Sequence, residues 1–409
     1  MIDKNKIALF GYGKTTKAIA ALLENNCIFF DDNTKEQKTD NLGNRIFPSS
    51  EFNPDSFNLE IATPSMSPNN KLVQSAKNLI SEYDFFLSNR YYTENKPLNI
   101  WISGTNGKTT TTQMLTHLLE HKGAQSGGNI GTPLAELNPK APIWVLETSS
   151  FTLHHTKEVK PNIYMLLPIT PDHLDWHGNS KNYIQDKLSP LKLMQEGELA
   201  LIPKGLEIPQ TNAWVVEYES SEDLAKIFNI DCSKIQFKGA FLLDSLFALI
   251  ATKVLFDTLD YNLMNNFIVD AHRQEVVTDS KKRVWVNDSK ATNIDATIQV
   301  LNLYKEQKIH LILGGDDKGV DLNELFLYLK DLNLTIYAIG SNTQKIAKFA
   351  IKYNIECNSL TYLNKAIEAI NSVHTTSSVA ILAPAASSLD QFSSYAKRGD
   401  DFKNFVKSI

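Results

Sequence analysis

The chain has 409 residues, too many for one ordinary core, so two or three domains are expected. Hydrophobic residues make up 42% and charged residues 21%, the balance of a soluble globular protein, and a net charge of −5 argues against nucleic-acid binding by general electrostatics. Cys27, Cys232 and Cys357 are far apart and offer no metal spacing; no signal peptide or transmembrane stretch is visible, so a reducing, cytoplasmic setting without membrane insertion is expected.

Residues 7–10, Ile-Ala-Leu-Phe, read as a buried strand. Gly11-Tyr12-Gly13-Lys14-Thr15-Thr16 follows, then an alanine- and leucine-rich helix over 17–23 and a second strand over 27–30 ending in Asp31-Asp32. This is a Rossmann-like opening. Thr16 stands in place of the third fingerprint glycine, so the NAD match is incomplete. A different nucleotide or diphosphate ligand, with Asp31 on a ribose or a base N–H, and a purely structural turn are the alternatives. Residues 61–68, with two prolines, read as a strand-to-loop edge or a plain connection. Residues 92–98, containing Pro97, read as a linker that closes a first domain at 1–95.

A second domain, 96–270, opens on a strand that runs into Gly104-Thr105-Asn106-Gly107-Lys108-Thr109-Thr110, and a helical pattern with Met114, Leu115, Leu118 and Leu119 follows. Strand, glycine loop, lysine and hydroxyl, then a helix N-terminus: this is the build of a phosphate cradle. Lys108 would reach the β/γ-phosphates and Thr109 would hold Mg²⁺. The loop is a shortened variant, since the usual spacing wants glycine where Ile102 stands. Trp144-Val145-Leu146 is a strand ending in Glu147, an acid placed to bind Mg²⁺ or to form a strand-end salt bridge. The strand over 162–167 leads to Pro171-Asp172-His173-Leu174-Asp175-Trp176-His177, whose His173 belongs to the same strand-end rim, with His177 structural or solvated. Lys187, on an amphipathic helix, reads from its residues alone as a solvated lysine. Residues 241–256 form an apolar core helix.

The third domain, 271–409, repeats one pattern: a strand ending in a polar loop. The strand over 284–286 ends in Asn287-Asp288-Ser289-Lys290-Ala291-Thr292-Asn293, and that over 309–313 ends in Gly314-Gly315-Asp316-Asp317-Lys318. The strand over 334–339 ends in Gly340-Ser341, and that over 379–382 leads to Ser388-Leu389-Asp390-Gln391-Phe392. Helical patterns separate them, as in a doubly wound α/β unit whose ligands bind outside the carboxyl ends of the strands.

Taken in order, the Gly104–Thr109 loop, Glu147 with Asp172-His173-Leu174-Asp175, and the Asn287–Asn293 string resemble the Mur ligases. The third-domain motifs look like the D-glutamate-adding branch. Folylpolyglutamate synthases share the shortened loop but not the Asn287–Asn293 string, and they form the alternative. A nucleotide-dependent regulatory protein would need no acceptor-side metal ligand. The resemblance implies an α/β fold of three domains: Rossmann-like, central P-loop-type mononucleotide-binding, and C-terminal Rossmann-like. It implies ATP-dependent addition of D-glutamate to UDP-MurNAc-L-Ala, in the cytoplasm, by a monomer that works through an acyl phosphate and closes during its cycle.

The family's site residues map as follows. Catalysis falls to Lys108, Glu147, His173 and Lys187. ATP falls to Gly104, Thr105, Asn106, Gly107, Lys108, Thr109 and Thr110, with Arg273 and Asp288. Two Mg²⁺ ions fall to Thr109, Glu147, His173 and Lys187, with Lys187 converted by CO₂ to a carbamate, which requires a depressed amine pKa. D-glutamate falls to Lys290, Thr292, Lys318, Ser388, Leu389 and Tyr395. The UDP-sugar falls to Lys14, Thr15, Asp31, Asn129 and Ser149. The family usually has His-Asn near Phe241, against the adenine, where this chain reads Ala240-Phe241-Leu242, and no residue is carried over there.

Overall fold

The protein is described by a computed structural model covering residues 4–88, 96–129 and 131–409; residues 92–95 of the expected linker and Ile130 of the Gly127–Thr132 turn lie outside the described residues. Three six-stranded sheets follow one another along the chain. The first contains β1 (Ile7–Phe10), β2 (Ile28–Asp31), β3 (Lys38–Thr39), β4 (Arg45–Pro48), β5 (Leu59–Ala62) and β6 (Leu79–Ile80). Their order is β3-β4-β2-β1-β5-β6, parallel except for β3. A parallel sheet is covered on both faces, so its central strand is apolar throughout. Alternation divides β1 between two cores: Ile7 and Leu9 pack with Phe29 and Ile61, while Ala8 and Phe10 pack with Phe30 and Ala62. The helix expected over 17–23 begins earlier and spans Lys14–Leu22, its first turn set directly on Gly13.

The second sheet contains β7 (Leu98–Ser103), β8 (Ala124–Gly128), β9 (Ile143–Glu147), β10 (Ile163–Leu166), β11 (Leu199–Pro203) and β12 (Trp214–Tyr218), ordered β12-β11-β10-β7-β9-β8 and wholly parallel. Strand order reverses at β7, whose neighbours β9 and β10 are reached on opposite sides. The crevice beyond the carboxyl end of β7 is therefore the natural ligand position. The third sheet contains β13 (Glu275–Thr278), β14 (Val284–Asn287), β15 (Lys308–Leu313), β16 (Leu334–Ile339), β17 (Cys357–Thr361) and β18 (Ser378–Leu382). It is ordered β13-β14-β18-β15-β16-β17, with β13 antiparallel to β14 and the rest parallel.

Two compact units divide the chain, Met1–Phe267 and Ile268–Ile409. The first two sheets share the first unit, joined by the helix Glu82–Leu87, all of whose residues are buried. The Tyr83 ring meets Trp101 of β7 edge-on at 4.9 Å, and its hydroxyl donates to the Glu147 carbonyl at 3.2 Å. The Asp84 carboxylate accepts from the backbone N–H groups of Lys157 and Glu158, and Glu82 accepts from Leu134 N at 2.7 Å. Among the described residues no helix is long and apolar enough to cross a membrane.

Candidate active site

The loop after β7 takes its shape from two glycines with positive φ, Gly104 (+141°) and Gly107 (+84°). A Cβ on Gly104 would lie 2.5 Å from Leu167 Cβ, and one on Gly107 would lie 2.7 Å from Asp244 Oδ1, so neither position accepts a side chain. The loop leads straight into the helix Lys108–Leu119, with Gly107 at its N-cap and no side chain capping the first N–H groups. Those groups and the helix dipole are left for an anion. Lys108 Nζ folds back on the loop, donating to Gly104 O at 2.9 Å and Thr105 O at 2.7 Å.

Glu147 ends β9 with its Cα paired to Ile102 on one side and Gly128 on the other. That register places its carboxylate beside the loop. Oε2 accepts from Thr109 Oγ1 at 2.8 Å, and Oε1 accepts from Asn129 Nδ2 at 2.6 Å. Thr109, Glu147 and Asn129 therefore form one cluster of hard oxygen and amide groups. Thr105 Oγ1 donates to the Thr170 carbonyl and lies 3.0 Å from Tyr183 Oη. Thr110 points into the core, where its hydroxyl has no partner among the described residues.

Lys187 corrects the solvated reading of its residue type. It lies in the helix Ser180–Leu188 and is 1% exposed. Its amine donates to Gly104 O at 2.9 Å and to Ser103 Oγ at 3.3 Å, directly beneath the phosphate loop. Burial, reinforced by the nearby Lys108 charge, holds the amine well below the usual lysine range. His173 sits at the rim in a left-handed conformation (φ +52°), its ring 4.8 Å from Phe151 and its Nε2 3.5 Å from Asp172. His177 is buried: Nδ1 lies 2.8 Å from Asp186 Oδ2 and Nε2 lies 3.0 Å from Ser150 Oγ. It thus braces the chain between His173 and Lys187, and of the two sequence readings the structural one applies.

Other expected residues gather at strand ends of the same unit. Asp31 closes the Gly11–Gly13 turn, accepting from Tyr12 N at 3.2 Å. Lys14 donates to the Gly131 carbonyl, and Thr15 lies beside it in the first turn of the helix Lys14–Leu22. Ser149 caps the helix Ser150–His155 by accepting from Thr152 N at 3.1 Å. Asp244 was not anticipated: it is the lone acid of the apolar helix Ala240–Phe256, and its carboxylate accepts from Thr111 Oγ1 at 2.8 Å, against the loop. A single acid inside so apolar a run was the available signal.

In the second unit Asp288, just past β14, is buried and accepts from Gln274 N at 3.3 Å. Burial pushes its carboxyl up to about 7 against the pull of Arg273. Lys290 Nζ lies 4.1 Å from the Tyr395 ring centroid. Thr292 is exposed in the same loop, its N–H bonded to Lys290 O at 2.8 Å. Lys318 is exposed at φ +49° with its N–H on Asp316 Oδ1 at 3.1 Å. Ser388 is buried while Leu389 is 67% exposed beside it. Except for Arg273, which precedes β13, these expected residues follow β14, β15 or β18, three adjacent strands at the middle of the sheet. Among the described residues no three His, Cys, Asp or Glu side chains form a metal-binding group.

The geometry agrees with what comparison with known proteins finds. Residues 102–234 match the Mur ligase middle domain, and residues 272–385 match the Mur ligase, glutamate ligase domain. A UDP-N-acetylmuramoylalanine–D-glutamate ligase of Campylobacter jejuni (strain 81-176) is 52% identical over 99% of this chain and 100% of its own length. One of Helicobacter pylori (strain J99) is 45% identical over 98% of this chain and 99% of its own. Among solved structures, Thermotoga maritima MurF ligase in complex with ADP superposes with a TM-score of 0.59 at 15% identity, covering 100% of this chain and 99% of that one. UDP-N-acetylmuramate-alanine ligase MurC of the same organism gives 0.57 at 15% identity over 98% of each chain. These two structures share the fold. The chain belongs to the Mur ligase family, and within it to the UDP-N-acetylmuramoylalanine–D-glutamate ligases.

Proposed function

We infer that this protein is an ATP-dependent ligase that joins D-glutamate to UDP-MurNAc-L-Ala in peptidoglycan precursor synthesis, with release of ADP and phosphate. The observation that carries the reading is the cluster at the end of β7: Lys108 on a glycine loop, Thr109 bonded to Glu147 at 2.8 Å, and a buried Lys187 beneath. Phosphoryl transfer rests on positioning and charge neutralisation. On entry of ATP, Lys108 exchanges its two carbonyl acceptors for β/γ-phosphate oxygens, and the uncapped N–H groups of the helix Lys108–Leu119 receive phosphate charge.

The oxygens of Thr109 and Glu147 suit Mg²⁺, a hard ion that takes few protein ligands and completes its shell with phosphate and water; this fits the lack of a three-residue metal group among the described residues. Bound there, Mg²⁺ would neutralise phosphate charge. A second ion would be held by His173 and Lys187. As an amine Lys187 offers no anionic oxygen; its neutral form, favoured by burial, reacts with CO₂ to give a carbamate and a proton, and the carbamate oxygens suit the ion. The acceptor's alanine carboxylate is phosphorylated, and the D-glutamate amine attacks the acyl phosphate. The tetrahedral intermediate then expels phosphate.

We assign UDP-sugar binding to Lys14, Thr15, Asp31, Asn129 and Ser149, and further ATP binding to Arg273 and Asp288. D-glutamate goes to Lys290, Thr292, Lys318, Ser388, Leu389 and Tyr395. The domains are taken as 1–95, 96–270 and 271–409, and the working form as a cytoplasmic monomer. The test is a coupled phosphate-release assay with a panel of amino acids and UDP-MurNAc-peptide acceptors. Release that requires D-glutamate and UDP-MurNAc-L-Ala together supports the reading. Turnover on L-glutamate with a folate overturns it.

A further inference from the structure

Two arginines are buried among the described residues, and they differ in kind. Arg283 has the Asp279 carboxylate 2.7 Å from its Nε. Arg398, 1% exposed in the helix Tyr395–Lys407, has no carboxylate within ion-pair distance among the described residues. Its partners are neutral: Nε donates to Ser289 Oγ at 3.0 Å, and Nη2 donates to Ser289 O at 2.9 Å and Ala386 O at 3.2 Å. Nη1 makes no hydrogen bond among them and faces the Gly314–Gly315 turn, 3.3 Å from where a Cβ on Gly315 would stand. Burial lowers the guanidinium to about 10, partly offset by the Asp390 charge, so it remains a cation at neutral pH. A buried cation whose hydrogen-bond partners are all neutral is only partly compensated for its lost hydration, and its field is strong because little water screens it.

The place of this charge is informative. Ser289 precedes Lys290, and its Oγ also donates to the Tyr395 carbonyl at 2.7 Å. Ala386 leads to Ser388, and Gly315 leads to Lys318. The guanidinium thus bonds to two of the three loops to which D-glutamate binding was assigned and lies beside the third at Gly315, and it lies one turn from Tyr395 on the same helix. Arginine suits the task because its planar donors reach several oxygens at once and it stays charged.

We propose that Arg398 is a positioning residue for the amino-acid site: its buried guanidinium braces the Ser289–Lys290 and Ala386–Ser388 loops beside the Gly315 turn and supplies a fixed positive charge that makes the site select an amino acid with a second, side-chain carboxylate. The proposal rests on the ligase reading above. The incoming amino acid brings the negative charge that the hydrogen-bond partners of Arg398 lack.

The test uses the full-length enzyme with Arg398→Gln, Arg398→Lys and Ser289→Ala, measuring KM for each substrate and kcat. In Arg398→Gln the KM for D-glutamate is expected to rise at least tenfold, with the KM values for ATP and UDP-MurNAc-L-Ala within twofold of wild type. Arg398→Lys, which keeps the charge, should recover most of that loss. The preference for D-glutamate over D-glutamine should shrink in Arg398→Gln only. An unchanged D-glutamate KM in Arg398→Gln, or an equal loss for all three substrates that lysine does not rescue, overturns the proposal. If the Arg398 variants do not fold, Ser289→Ala decides, since it removes one acceptor and leaves the cation in place. A selective rise of about threefold in its D-glutamate KM supports the proposal, and no change overturns it. A wild-type enzyme that does not use D-glutamate at all would instead overturn the ligase reading.

Discussion

Replacing Glu82 by Gln should make the protein more stable at pH 8 and about 1 kcal/mol less stable near pH 4.5. The carboxyl is buried in the helix that joins the first two sheets, and burial raises its pKa from 4.5 to about 7 despite the Leu134 and Ala135 N–H groups. The sign follows from proton binding. Between these two values the folded state keeps a proton that the unfolded chain releases, so this group's contribution to stability falls as pH rises through the window. At about 1.4 kcal/mol for each tenfold change, the loss by pH 8 is about 3 kcal/mol. An amide has one acceptor oxygen for two backbone donors, and the bond it forgoes returns about 1 kcal/mol of that difference. Glu82→Gln should therefore gain about 2 kcal/mol at pH 8. The assay is urea unfolding from pH 4.5 to 8, followed by tryptophan fluorescence, for which Trp101 lies against Tyr83 in the same core. A difference between wild type and variant that does not change with pH, or a variant less stable at pH 8, would refute the reasoning.

Lys108→Ala should reduce phosphate release by about 100-fold or more, because no other side chain is assigned to the β/γ-phosphates, while the fold is retained by circular dichroism. Gly104→Ala should be worse for ATP binding than for stability: its Cβ would stand 2.5 Å from Leu167, forcing the loop off its path, as isothermal titration with ATP would register. A carbamate on Lys187 should give a carbonyl signal in ¹³C NMR after incubation with labelled bicarbonate, and the signal should be missing in Lys187→Met. Tyr83→Phe keeps the ring on Trp101 and removes a hydroxyl bonded to Glu147 O and Thr148 Oγ1; each acceptor retains another bond, so about 1 kcal/mol of stability should be lost, measured by urea unfolding.

The phosphate loop and the strands at the middle of each sheet were legible because their causes are local. A buried parallel strand must be apolar along its length, as β1 and β10 are. A loop that brings backbone N–H groups to phosphate needs glycine at particular places. Edge strands carry no such signal: β17 reads Cys-Asn-Ser-Leu-Thr and is mostly exposed, and β12 begins at a half-exposed Trp214. The state of Lys187 was illegible by residue type because its burial depends on β7 and the loop, brought together only by folding. A trace was present, since Tyr183 and Lys187 stand four apart and share the buried face of their helix. Arg398 left the same kind of trace, lying on one stripe with Phe402 and Val406, an arginine where the pattern calls for an apolar residue.

The helix Glu82–Leu87 has a further consequence for what the first unit accepts. With Tyr83, Glu82 and Asp84 each fastened to the second sheet or to the segments that connect its strands, the carboxyl ends of β1 and β7 keep a set spacing. On the assignment proposed above, a ligand with its nucleotide end near Asp31 and its reacting carboxylate beside Lys108 and Glu147 would then be gauged end to end. Acceptors one residue longer or shorter would then present the wrong atom to the phosphate, and on that assignment the joint between two sheets would serve as a measure of length, apart from any contact with the chemistry in between.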